Sequence, residues 1–129
     1  MEIHHLGWAV HSLSPHRQHF EDQLGLPYEG EEDFPGLRVA FFRAGPSLIE
    51  LLEPAPTDEV ADFLRERGEG IHHIAYKVDD VAAALEAAQQ RGMRAIDAHP
   101  RPGARGTSIA FVDPERADGI LVEYVQEPS

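Results

Sequence analysis

Residues 3–10, Ile-His-His-Leu-Gly-Trp-Ala-Val, alternate with a period of two. Leu6, Trp8 and Val10 share one face with His4, while Gly7 and Ala9 share the other with His5. That period predicts a strand. The pattern returns at 71–78, Ile-His-His-Ile-Ala-Tyr-Lys-Val, at an offset of 68 with the apolar register kept. Here His72 goes with Ile74, Tyr76 and Val78, and His73 with Ala75 and Lys77. Each strand leads into a helical pattern. The first runs from about Ser14 to Leu24, with Pro15 at its start and Gly25 past its end. The second runs from about Val81 to Arg91, with Asp79 or Asp80 as cap and Gly92 as stop.

Each half closes on a strand carrying an acid: Leu48-Ile49-Glu50-Leu51-Leu52-Glu53-Pro54 matches Leu121-Val122-Glu123-Tyr124-Val125-Gln126-Glu127-Pro128 at an offset of 73. Between lie strand candidates at Leu37–Arg43 and Thr107–Val112, with weaker ones near Pro27–Gly30 and Arg94–Asp97. Turn signals fall at Pro35-Gly36, Gly45-Pro46, Pro102-Gly103 and Asp118-Gly119. The acidic run Glu29–Asp33 reads as a solvated loop with no role. The order is strand, helix, then two or three strands, written twice. The halves are expected at about residues 1–55 and 70–129, with a linker helix at about 57–67 closed by Gly68 and Gly70.

A chain of 129 residues, 42% hydrophobic, suffices for one compact domain or two small halves sharing a core. Eleven basic against 23 acidic residues, a net charge of -12, argue against nucleic acid and anionic membrane surfaces, which need clustered Lys and Arg. A few placed cations can still hold an anionic small ligand. The absence of Cys excludes disulfides, thiolate nucleophiles and zinc–thiolate sites. No apolar run approaches membrane-spanning length, and the N-terminus carries no signal-peptide pattern, so a cytoplasmic protein is expected.

The repeat supplies one His and one Glu from each half: His5 with Glu50, and His73 with Glu123. Imidazole nitrogen and carboxylate oxygen form a ligand set for zinc, manganese, iron, cobalt and nickel. The bulky face of each first strand suits packing on the following helix, so His4 and His72 are expected to pack. The small-residue face leaves room for an ion, so His5 and His73 are the expected ligands. An acid between apolar neighbours, as Glu50 is between Leu48 and Leu52, is costly unless paired or metal-bound. A single such His or Glu is more often structural; the repeat couples the four into one expected site for one divalent ion per chain. His11, His16, His19 and His99 are expected at the surface or in loops.

Gly68-Glu69-Gly70-Ile71-His72-His73-Ile74-Ala75-Tyr76-Lys77-Val78-Asp79-Asp80 resembles the central motif of methylmalonyl-CoA epimerases. So do Ile49-Glu50-Leu51-Leu52-Glu53-Pro54 and Gly119-Ile120-Leu121-Val122-Glu123-Tyr124. The opening Ile3–Val10 is similar, although the family often has Asp where His4 stands. The resemblance spans nearly the whole chain. It implies an α+β glyoxalase, or vicinal oxygen chelate, fold: two tandem βαβββ modules forming a curled mixed sheet around a metal site. It also implies a homodimer, an acyl-CoA substrate and interconversion of methylmalonyl-CoA epimers. His5, Glu50, His73 and Glu123 fall on the family's ligand positions. Cobalt is the ion the resemblance suggests; zinc, manganese, nickel or magnesium suit the same donors. Some family members carry a catalytic Glu where Val39 stands in Gly36-Leu37-Arg38-Val39-Ala40-Phe41-Phe42, which leaves the second base open.

Epimerisation beside a thioester removes the C–H proton on one face and returns it on the other, so a base is needed on each. A chelated cation would stabilise the negative charge that develops. Glu123 is the first candidate base by resemblance, and Glu50 the second, because the duplication should place it opposite. A lactoylglutathione lyase shares the fold, ligand pattern and chemistry; the Gly-Glu-Gly-Ile-His-His match favours the epimerase. An extradiol dioxygenase uses two His and one carboxylate, and Glu50 counts against it. A metal-free drug-binding protein of this fold would not be expected to keep all four ligands. Lys77, Arg101 and Arg105, with Gly103 and Gly106, are candidates for the anionic end of coenzyme A, though ordinary surface charge explains them equally well.

Overall fold

The computed structural model describes all residues, 1–129. They divide into two units, His5–His72 and Met1–His4 with His73–Ser129.

The unit His5–His72 begins within β1 (Glu2–Ala9), which runs into a short helix α1 (Leu13–Gln18). The last turn of that helix widens into a π turn, His19–Gln23, where the Leu24 N–H bonds the His19 carbonyl. The expected helix therefore changes its winding halfway. The widened turn carries Phe20, whose ring packs edge-on to Trp8 and tilted on Phe42. Next come β2 (Tyr28–Phe34), β3 (Leu37–Ala44) and β4 (Ser47–Pro54), and then α2 (Glu59–Arg67), capped by the Asp58 carboxylate on the Val60 N–H. The strand order is β2-β3-β4-β1, with β1 parallel to β4 and the other neighbours antiparallel. On one face of this sheet Val10, Leu13, Phe20, Ala40, Phe42 and Leu51 form a core, with Trp8 and Ile49 packed against it. Each large side chain buried there stabilises by roughly 1.5–3 kcal/mol.

The acidic run is a correction. Glu29–Asp33 lies in β2 and is not a loop. Asp and Glu disfavour strands in isolation, but pairing with β3 decides the conformation. Charge pairs settle the edge: Arg43 holds Glu29 through two contacts of 2.9 and 3.1 Å, and Arg38 meets Asp33 at 2.9 Å.

The second unit repeats the order with β5 (Gly70–Lys77), α3 (Val81–Gln90), β6 (Arg94–Ala95), β7 (Arg101–Pro102), β8 (Ser108–Asp113) and β9 (Leu121–Gln126). Strands run β5-β9-β8-β6, β5 is parallel to β9, and β7 also pairs with β8. The expected strand near Arg94–Asp97 shrinks to two residues, and β7 lies where the sequence signals only a turn. Asp80 caps α3 through the Ala83 N–H. Val81, Leu85 and Ala88 of α3 pack on Ala110, Val112 and Tyr124, with Tyr76 alongside. The bulky face of each first strand thus packs with the helix that follows it. No helix is long and apolar enough to cross a membrane.

Candidate metal centre and active site

In the first half, parallel pairing sets Gly7 opposite Glu50 and His5 opposite Leu48. In the second, it sets Ala75 opposite Glu123 and His73 opposite Leu121. The two registers are the same. A Gly or an Ala therefore stands beside each acid on the histidine strand, leaving room for the carboxylate to lean towards the imidazole one pleat away. His5 Nδ1 lies 3.1 Å from Glu50 Oε2, and His73 Nε2 lies 3.3 Å from Glu123 Oε1. These four residues keep only 4–5% of their surface exposed.

An antiparallel neighbour closes the other flank of each acid. Phe41 stands opposite Glu50, and Phe111 opposite Glu123. The Phe111 ring meets the His73 ring edge-to-face at 5.0 Å. Ala75, Ile109 and Val125 form a small apolar cluster there with Phe111. Val39, opposite Leu52, shares the face of Glu50 and is buried at 2%. The place where the resemblance offers a second base is therefore apolar in this chain.

The alternate histidines make contacts of their own. His72 is buried with its ring edge-on to Phe63 of α2 at 5.2 Å. His4 Nε2 lies 3.5 Å from Glu127 Oε1. Lys77 shares the face of His73 and lies 3.4 Å from the same Glu127. Arg101 Nε donates to Asp97 Oδ1 at 2.9 Å, and its guanidinium carbon lies 5.6 Å from the Phe111 ring centre. Arg105 sits in a left-handed turn conformation with φ +57.

The strand sequences also hold helix anchors that sequence reasoning missed. Glu53 Oε2 accepts the Leu13 N–H at 2.9 Å, and Gln126 Oε1 accepts the Val81 N–H at 3.1 Å. Each acceptor stands three residues after its half's acid, and the offset of 73 already aligns them. Glu69 is a second missed tie, accepting the His11 N–H at 2.8 Å and meeting His16 Nε2 at 2.9 Å. The His11 N–H, and after it the His16 ring, hold the Glu69 carboxyl below its ordinary value against the burial that pushes it up.

The residues present fit a divalent cation. Each half offers an imidazole nitrogen and a carboxylate oxygen close together and out of water, and a buried carboxylate needs positive charge beside it.

A family model of the glyoxalase/bleomycin resistance protein/dioxygenase superfamily matches residues 4–111. An uncharacterised protein of Bacillus subtilis is 39% identical over 127 residues, 96% of this chain and 91% of its own. The ethylmalonyl-CoA/methylmalonyl-CoA epimerase of Cereibacter sphaeroides is 33% identical over 129 residues, 96% of each chain. A variant of the methylmalonyl-CoA epimerase of Streptomyces coelicolor, solved in complex with 2-nitronate-propionyl-CoA, superposes with a TM-score of 0.92. It is 30% identical and aligns over 100% of this chain and 99% of its own.

Proposed function

This chain belongs to the glyoxalase/bleomycin resistance protein/dioxygenase superfamily, the family its motifs resemble, and from that premise we propose that it interconverts the epimers of methylmalonyl-CoA using one divalent metal ion. It has the superfamily's α+β fold with a mixed sheet, and its enzyme class is that of its relatives, an epimerase. The observation that carries the proposal is the duplicated His–Glu pair, repeated in one register, with a small residue beside each acid. One such pair would suit an ordinary buried hydrogen bond; the same pair at the equivalent place in both halves supports a shared ligand set.

His5, Glu50, His73 and Glu123 would hold the ion. When bound, it supplies a Lewis acid for the thioester carbonyl and positive charge for the carbanion that forms beside it. Glu123 takes the C2 proton from one face, and Glu50 serves the other. Each would have to be loose from the ion to act as a base. Phe41 and Phe111 stand across from the two acids and set an apolar ring beside each. Val39 adds no proton-transfer group, which leaves this work to the two ligand acids. The same reading takes the enzyme as a cytoplasmic homodimer.

Proton NMR of methylmalonyl-CoA in deuterium oxide tests it. Metal-loaded protein should exchange the C2 proton and interconvert the epimers, and it should act far more slowly on the hemithioacetal of glutathione and methylglyoxal. The reverse preference would overturn the epimerase reading in favour of a lyase. Metal-replete Glu50→Gln and Glu123→Gln proteins should each lose epimerisation, and each should retain exchange from a different epimer. Unchanged epimerisation in metal-replete Glu50→Gln would reduce Glu50 to a ligand.

A further inference from the structure

The rows of residues that carry the acids match between the halves. Gly7, Glu50 and Phe41 stand side by side across β1, β4 and β3, as Ala75, Glu123 and Phe111 do across β5, β9 and β8. One pleat further along, the rows part. In the first half the row reads Ala9, Leu52, Val39 and Glu32. In the second it reads Lys77, Val125, Ile109 and Arg101. Direct register partners point to the same face of a sheet, so both cations of the second row share the face of Glu123. They stand three strand spacings apart, about 14 Å between Cα atoms, and about 7 Å along the strands from the row of Glu123. Val125 and Ile109 form a buried apolar floor between them, while the Lys77 and Arg101 side chains are 42% and 48% exposed.

Arg101 is held in place by Asp97. Asp97 takes its Nε with one oxygen and the Phe111 N–H with the other, at 2.9 and 2.8 Å. That contact uses one of the five guanidinium N–H groups and leaves the terminal nitrogens as donors. The loop after β7 is pinned as well. A Cβ on Gly103 would come within 2.6 Å of Ile109 Cγ2 and 2.7 Å of Thr107 Oγ1. Lys77 is less constrained, with Nζ 3.4 Å from Glu127.

We propose that Lys77 and Arg101 form the anion-binding end of the substrate site, taking either a phosphate of coenzyme A or the free carboxylate of the acyl group. The inference rests on the acyl-CoA reading above and goes beyond it in the register that puts Lys77 and Arg101, and not Arg105, in one row on the face of Glu123. A chain of net charge -12 repels a polyanionic thioester unless cations are placed where it must lie. The site face of the second half places two of them at opposite ends of one row. The equivalent row of the first half ends in Glu32, so anion recognition falls to the second half.

The test uses metal-loaded full-length protein carrying Lys77→Gln, Arg101→Gln or both, with Arg101→Lys as the charge-retaining control. Calorimetry measures the binding of coenzyme A and of methylmalonyl-CoA, and kinetics give KM for methylmalonyl-CoA and methylmalonyl-pantetheine. The double variant should bind methylmalonyl-CoA about tenfold more weakly or worse, and Arg101→Lys should recover most of the Arg101→Gln loss. If the contact is to phosphate, coenzyme A binding weakens alongside and KM for the pantetheine ester stays put. If it is to the carboxylate, both KM values rise and coenzyme A binding is unchanged. Methylmalonyl-CoA affinity equal to wild type in the double variant, or no binding of either probe by the wild type, overturns the proposal. A wild type that binds methylmalonyl-CoA without epimerising it would fault the epimerase reading and leave the binding comparison intact.

Discussion

Replacing Glu53 with Ala tests whether the strand that carries Glu50 also anchors the helix beside it. Ser12 makes no side-chain cap to α1, and the Leu13 N–H is taken instead by Glu53 Oε2 at 2.9 Å. Leu13 itself is 6% exposed, so water reaches its N–H poorly. A donor left without an acceptor there costs about 2 kcal/mol, and the carboxylate's favourable place at a helix N-terminus is lost with it. With an unfolding entropy of about 2.1 cal/mol/K per residue over 129 residues, Tm should fall by about 7 °C. Gln126→Ala removes a neutral hydrogen bond from α3, which keeps its Asp80 cap, and should cost about 1 kcal/mol, or about 4 °C. Glu53→Gln should recover at least half of the Glu53→Ala loss, because an amide does this work at Gln126. Calorimetric unfolding at one fixed metal concentration reads all three, since bound ion would itself shift Tm. A Glu53→Ala protein that melts with wild type, or a Glu53→Gln protein as unstable as Glu53→Ala, refutes the argument.

Purified protein should bind about one divalent ion per chain; His73→Ala should lose it, while His72→Ala keeps it and loses roughly 1–3 kcal/mol of packing against Phe63. Metal analysis beside thermal melts decides this, and loss of metal from His72→Ala alone would reverse the assignment of faces. Gly103→Ala should cost roughly 1–3 kcal/mol, because Ile109 and Thr107 must move to admit the methyl group; an unchanged Tm would show that the loop yields freely. Glu69→Gln carries a pH signature. Because the folded-state pKa of Glu69 is depressed, its contribution is present above the ordinary carboxylate range and disappears as pH falls through the folded value. Wild type should therefore melt above Glu69→Gln at neutral pH, and the gap should close in acid; a gap that widens in acid would contradict the sign.

Much of the fold was legible because the repeated elements carry strong local periodicity. The His-His strands and the Ala-rich α3 announce themselves through apolar spacing, and Gly25 and Gly92 mark the ends of their helical segments. What failed to show depended on partners far away in sequence. Tyr28–Phe34 contains four acids and becomes a strand because β3 offers it an edge and Arg38 and Arg43 offer it charge. Arg101–Pro102 is too short for a period and exists through its pairing with β8. The π turn answers to the packing of Phe20, which no local rule encodes. For the site, alternation assigns His5 and His73 to the face opposite His4 and His72, and the structure puts His5 beside Glu50 and His73 beside Glu123. Glu53 and Gln126 stayed hidden because their function needs β1 parallel to β4 and β5 parallel to β9.

Those two parallel pairings also explain why some positions match between the halves and others do not. In each half the histidine and the acid sit one pleat apart on neighbouring strands, so their contact runs diagonally across the sheet face. Such a diagonal spans roughly 7–8 Å between Cα atoms, within reach of a Glu and an imidazole only if nothing stands between them. The residue beside the acid on the histidine strand is the one that would intrude, and it is Gly7 in one half and Ala75 in the other. Leu48 and Leu121, beside the histidines, close the opposite corner. The geometry therefore constrains the rows of the histidine and the acid together. The next row lies beyond the reach of the pair, and nothing in the His–Glu contact depends on it. It is there that Ala9 and Lys77 differ, and Val39 and Ile109, and Glu32 and Arg101. A duplicated scaffold can thus keep the same donors in both halves while its surrounding rows diverge, one row ending in Glu32 and the other carrying Lys77 and Arg101.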